Sequence, residues 1–183
     1  MVERKKLLTV LPTNLLLQQV WDYLITRPNK KGEYKKSVME CLYLLGWKVG
    51  LRVSEALNFD LSLENQEPVY KNLYLLRGKG KKERWVYVGE DIVRELKKRD
   101  WKPKQTNRFT FSKFLEKVKE EMNISQNIEL SPHTLRRCFA THQAISGMPL
   151  PVLQKVLGHS KASTTALYIR DGDLSNLVKF RPV

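Results

Sequence analysis

Five residues of this 183-residue chain, Arg52, His133, Arg136, His159 and Tyr168, have types and spacing suited to one chemistry. Arginine and histidine can hold and protonate a phosphate, and a tyrosine hydroxyl can attack one. Arg52 stands in GLRVSEAL, at the start of a short helical pattern. Val53, Ala56 and Leu57 can face a core there and leave the guanidinium to project. Read alone, it would pass for a surface arginine paired with Glu55. His133 and Arg136, in SPHTLRRCFATH, are three apart and share a helix face. His133 falls in the first turn, where backbone N–H groups and the helix dipole favour an anion. Arg137 and His142 point elsewhere on the wheel. Read alone, this is a capped helix with solvated polar side chains.

His159 follows Gly158 in LGHSKASTTALYI, and Tyr168 comes nine residues later on the next helical pattern. Other chemistries lack their residues. No Ser or Cys sits in a nucleophile elbow, and no acidic pair is arranged for metal ions. GKGKK does not have the spacing of a phosphate-binding Walker loop. The two histidines are not accompanied by carboxylates or thiols as a metal set. No metal and no other cofactor is expected.

The charge balance narrows the partner. Lys plus Arg number 33 against 19 Asp plus Glu, a net charge of +14, and such an excess attracts polyanions, nucleic acid first. At 42% hydrophobic residues the chain can still bury a core. Cys41 and Cys138 lie in apolar helical patterns without metal or redox spacing. They read as reduced core thiols in a reducing compartment. No apolar run approaches the roughly 20 residues of a membrane span. The N-terminus is basic and then apolar, but Gln18, Gln19 and Asp22 interrupt it and no small-residue cleavage site follows.

The elements that must position these residues are mostly helices. Residues 13–26 read as an amphipathic helix capped by Thr13 or Asn14, with Leu15, Leu16, Val20 and Leu24 on one face. Residues 34–48 form a second helix, closed by Gly50, and 52–58 a short third. VYKNLYLL and ERWVYV, separated by RGKGKK, predict a β-hairpin over about 69–88. Helical patterns resume at 91–99 and 108–122, the latter capped by Asn107 or Thr110. Ser131-Pro132 starts a helix that runs to about Ser146, with Gly147 ending it. A helix at 150–157 stops at Gly158, and Ser163 caps the segment that carries Tyr168. The fold class is therefore α+β, mainly α-helical, with one small antiparallel sheet and no domain boundary.

GLRVSEAL, GKGKKERWVYV, PHTLRRCFATH and LGHSKASTTALYI resemble, in that order, the signature boxes of the tyrosine recombinases, the family of phage integrases and Xer-type enzymes. The likeness covers about residues 10–175. It implies a tyrosine-recombinase catalytic-domain-like fold for a single catalytic domain over 1–183, with a core of about 10–170 and a tail of 171–183. It matches Arg52 to the first catalytic arginine, Lys79 to the hairpin lysine, and His133 and Arg136 to the H-x-x-R pair. His159 matches the next histidine, and Tyr168 the nucleophile. Lys81, Lys82, Arg84 and Arg137 are then expected to contact DNA phosphates. The implied activity is site-specific DNA cleavage and rejoining through a 3′-phosphotyrosyl link, without metal or ATP. The implied partners are double-stranded DNA and further copies of the chain, with no membrane. Members usually carry a helical DNA-binding domain before the catalytic one, and residues 1–183 are expected to lack it. A catalytically idle DNA-binding regulator of the same fold, or a topoisomerase-like nicking-closing enzyme, is the alternative.

Overall fold

The computed structural model describes residues 10–29, 35–77, 83–159, 163 and 165. Seven α-helices, two short 3₁₀ turns and one hairpin are described: α1 Asn14–Thr26, α2 Lys36–Trp47, α3 Val53–Leu57, β1 Leu73–Arg77, β2 Glu83–Tyr87, α4 Glu90–Lys98, α5 Arg108–Glu121, α6 Pro132–Ile145 and α7 Leu150–Leu157, with the 3₁₀ turns at Leu61–Leu63 and Pro68–Tyr70. No helix among the described residues is long and apolar enough to cross a membrane.

Side chains start these helices where hydroxyl or amide oxygens replace the missing turn. Thr13 Oγ1 accepts from the Leu16 amide, Asn107 Oδ1 from those of Phe109 and Thr110, and Ser131 Oγ from that of Thr134. The buried stripe of α1 is Leu17, Val20 and Leu24. Leu15, expected inside, is 71% exposed, because the face turns one step toward Leu17.

Helix α2 is the centre of the molecule. Val38 through Trp47 are all buried, as befits a helix that is apolar nearly all round. It packs against α1, α3, α4, α5 and α6. Its contact with α6 is close at Gly46, where an added Cβ would lie 3.2 Å from Leu135. Cys41 and Cys138 are buried free thiols in this core, both pushed up to about 12 by burial.

The chain leaves α2 through Gly50, whose φ of +73° suits glycine. A Cβ there would sit 2.2 Å from the Phe139 ring. Glycine thus lets α6 cover the turn that leads directly into Arg52. A second, smaller cluster of Phe139, Ala140, Leu153 and Leu157 holds α7 onto α6. These two contacts carry the ends of α2 and α7 to the same side of α6.

The hairpin is antiparallel, with Leu73 opposite Tyr87, Leu75 opposite Trp85 and Leu76 opposite Arg84. Tyr74, Leu76 and Val86 face the core, while Trp85 and Tyr87 face outward at 45% and 61% exposure. The first strand begins later than expected. Pro68–Tyr70 form a 3₁₀ turn and Asn72 takes φ +65°, so pairing starts only at Leu73. Proline presets the turn and asparagine tolerates the left-handed step. Ser163 is itself helical rather than a cap outside the helix.

Candidate active site

Four elements converge at the C-terminus of α7. Arg52 is the N-cap residue of α3, with extended backbone and a side chain 41% exposed. Arg136 projects from the second turn of α6 and is 3% exposed. Arg84 comes from the inward face of β2. His159 follows Gly158, which closes α7 in the left-handed conformation at φ +60°, ψ +44°.

A helix leaves its last carbonyls without intrahelical donors, and its dipole makes that end negative. Here three consecutive carbonyls each receive a different arginine. Arg84 Nε donates to Val156 O at 2.9 Å, Arg136 Nη2 to Leu157 O in a short bond, and Arg52 Nη2 to Gly158 O at 3.2 Å. Arg136 Nη1 also donates to Gly50 O at 2.9 Å, tying α6 to the turn before Arg52.

One buried carboxylate serves the same three guanidiniums. Glu55 Oε1 accepts from Arg52 Nη1 at 2.9 Å and from Arg84 Nη1 at 2.6 Å. Its Oε2 accepts from the Arg52 amide at 2.8 Å, Arg84 Nη2 at 3.0 Å and Arg136 Nη1 at 3.4 Å. Burial alone would raise this carboxyl. The hydrogen bonds and charge of Arg84, then the Arg52 amide and the Arg136 charge, outweigh it and hold Glu55 at about 2. Three cations against one anion leave the cluster positive, which suits a bound oxyanion such as phosphate.

The geometry also fixes the state of His159. Its Nε2 lies 3.3 Å from Arg136 Nη2 and its Nδ1 lies 3.0 Å from Thr165 Oγ1. Arginine has no acceptor, so Nε2 accepts and Nδ1 carries the proton to the threonine hydroxyl. Burial first, then the charges of Arg136, Arg52 and Arg84, lower this imidazole to about 4, so it is neutral at physiological pH.

The expected residues therefore divide. Arg52, Arg136 and His159 are brought together. His133 occupies the second position of α6, exposed, and makes none of the bonds described above. Arg137 is half-buried, and its charge acts on the neighbouring Cys138 thiol. Arg84, a candidate DNA contact by sequence, has a side chain 16% exposed and turned into the cluster. Lys79, Lys81, Lys82 and Tyr168 lie outside the described residues. Sequence reasoning missed the central place of Glu55 and the contact from Thr165. Glu55 did carry a signal, since an acid three residues past a helix N-cap occupies the capping-box position. Among the described residues no three His, Cys, Asp or Glu side chains gather as a metal set.

The model of the phage integrase family matches residues 15–174. The tyrosine recombinase XerD of Shewanella oneidensis is 35% identical over 187 aligned residues, covering 91% of this chain and 60% of the relative. The chain thus spans about 60% of that protein's length. Among solved structures, the XerH site-specific recombinase bound to palindromic difH substrate in a post-cleavage complex superposes with a TM-score of 0.73. It is 20% identical, with 95% of this chain and 52% of that one covered. The catalytic domain of bacteriophage HP1 integrase superposes with a TM-score of 0.61 at 20% identity, with 96% of each chain covered.

Proposed function

This chain belongs to the phage integrase family, and we propose that it is the catalytic unit of a site-specific recombinase that cuts and rejoins double-stranded DNA. The observation that carries the reading is the convergence of Arg52, Arg136 and His159 on one helix end, around the single carboxylate of Glu55. In this reading the scissile phosphate is held at the exposed edge of Arg52. The two guanidiniums bind its non-bridging oxygens and stabilise the charge that grows as the phosphorus becomes five-coordinate.

Tyr168 is the nucleophile. Its hydroxyl is weakly reactive at neutral pH, with an ordinary pKa of about 10. It therefore needs a proton acceptor and a phosphate made electrophilic. His133 takes the tyrosine proton, and His159, accepting from Arg136, orients that guanidinium for the phosphate. The Tyr168 oxygen bonds to phosphorus while the bond to the 5′-oxygen breaks, and Lys79 protonates that leaving oxygen. The product is a 3′-phosphotyrosyl link and a free 5′-hydroxyl. Rejoining reverses the step with a different 5′-hydroxyl and conserves the bond energy. Several copies of the chain acting on one DNA complex would carry the exchange.

Tyr168→Phe tests the reading, because it removes the attacking oxygen and little else. The expected result is no denaturation-resistant DNA adduct on a nicked suicide substrate, with duplex affinity within about threefold of the parent, as the lost oxygen is not a phosphate contact. An adduct that persists in the phenylalanine variant would remove Tyr168 from the mechanism. Strand exchange between two marked duplexes then separates recombination from simple nicking and closing.

A further inference from the structure

Resting on the recombinase reading, we propose that Arg84 is a positioning residue of the cleavage site. It fixes Glu55 and the C-terminus of α7, and through them it sets Arg52 and Arg136 for the phosphate.

Strand alternation places the residue. Glu83, Trp85 and Tyr87 point outward from β2, and Arg84 and Val86 point inward. An inward arginine must have its donors met, and the described contacts meet them from two elements. Nη1 and Nη2 grip the two oxygens of Glu55 at 2.6 and 3.0 Å, a two-pronged pair that fixes the plane of the carboxylate. Nε takes the carbonyl of Val156 on α7 at 2.9 Å. Gly158 closes the remaining side, since a Cβ there would stand 3.0 Å from Arg84 Cδ and 3.1 Å from Nε.

The two groups that Arg84 fixes are the ones that hold Arg52. Arg52 Nη1 bonds to Glu55 and Arg52 Nη2 to Gly158 O, two residues beyond Val156. Arg52 is the more exposed of the phosphate arginines, at 41%, and has fewer described anchors. Arg136 is buried and keeps Gly50 O and Leu157 O as its own acceptors. Loss of Arg84 would therefore act mainly through Arg52. The hairpin strand that follows Lys79 thus contributes to the site from its base.

The test compares Arg84→Met and Arg84→Lys with the parent chain by three measurements. Cleavage is followed in single turnovers at saturating protein on a nicked suicide duplex. Duplex affinity is titrated at several salt concentrations. Inorganic phosphate binding, without DNA, is read from the imidazole NMR signals of His159. Thermal melting identifies any variant that is unfolded, and Arg84→Lys, which keeps the charge, is the one that guards against this.

Cleavage by Arg84→Met is expected to fall at least about tenfold, since a misplaced charge donor loses much of its worth. Duplex affinity should stay within about threefold with an unchanged salt slope. Phosphate affinity should fall with the cleavage rate. Arg84→Lys should remain impaired, because an ammonium cannot make the two-pronged grip. In an Arg52→Ala background, adding Arg84→Met should slow cleavage by less than about threefold, whereas an independent or merely structural lesion would multiply. Normal cleavage at saturation with weakened binding and a salt slope lower by about one would make Arg84 a DNA contact and overturn the proposal. If the parent chain forms no adduct, the recombinase reading fails and the phosphate arm decides alone. Weakened phosphate binding in Arg84→Met then upholds the positioning role, and unchanged binding overturns it.

Discussion

His159 is kept neutral by its surroundings, and that has a consequence for stability. The unfolded imidazole takes a proton below about 6.5, while the folded one, half-buried and ringed by Arg136, Arg52 and Arg84, resists until about 4. Between those values the unfolded chain binds more protons. The contribution of His159 is thus fully present above 6.5 and is lost as pH falls toward 4. The urea midpoint of the parent chain is expected to drop between pH 7 and 4.5, and His159→Gln should flatten that drop. An equal drop in both would mean that His159 titrates normally in the fold. Single residues such as Arg52, Arg136 and His159 were legible because each sits in a local motif. The shared carboxylate was not, because Glu55 meets Arg84 and Arg136 across 29 and 81 positions of sequence. Local spacing shows that Glu55 can reach Arg52 and says nothing of the other two. The same limit hid the inward turn of Arg84, since a run of basic residues in a hairpin gives no sign of which one turns inward.

At the level of elements, two glycines fix how helices meet. At Gly50 an added Cβ would fall 2.2 Å from the Phe139 ring, with φ already at +73°. At Gly158 it would press on the far end of the Arg84 side chain, with φ at +60°. Gly50→Ala should destabilise by roughly 2–3 kcal/mol through overpacking and strain, a fall in Tm of roughly 5–10 °C for a chain of this size. Gly158→Ala should melt closer to the parent but cleave suicide DNA far more slowly, because it disturbs the carbonyl and the guanidinium at the site. Thermal melts beside cleavage rates check the pair. The reverse ranking would place the site elsewhere. Helices and hairpin were legible from caps and periodicity: Thr13, Asn107 and Ser131 act as expected. The 3₁₀ turn at Pro68–Tyr70 was not, since Val69 and Tyr70 have strand-forming side chains and only Pro68 and Asn72 argue otherwise.

For the molecule as a whole, the excess of Lys and Arg governs how it meets DNA. At a net charge of +14, duplex affinity should fall steeply with salt. Six or more phosphate contacts would weaken binding about 10³-fold between 50 and 200 mM salt. A titration series measures the slope, and a nearly flat line would deny that phosphate contacts dominate binding. Fold class was readable at this scale because a mainly helical pattern with one hairpin leaves few arrangements. What could not be read was the meeting of α3, β2, α6 and α7, which lie as much as 106 residues apart in sequence. Packing of Phe139 over Gly50 and of Leu153 and Leu157 on α6 produces that meeting. Hydrophobic patterning shows that such faces exist but not which face finds which.

The outward turn of Trp85 makes the hairpin its own optical reporter. Of the four tryptophans, Trp47 and Trp101 are buried at 4% and 7% exposure, and Trp21 is half-buried beneath the Arg99 guanidinium. Trp85 is 45% exposed and adjoins Arg84 in the chain. Its emission should lie to the red of the other three, and iodide, an anion drawn to a cationic protein, should quench it first. Replacing Trp85 with Phe should abolish most of the quenchable fraction while leaving the buried fluorescence intact. With Trp85 in place, a change in iodide access when duplex is added would signal, in real time and without a label, that DNA has reached the strand that holds Arg84.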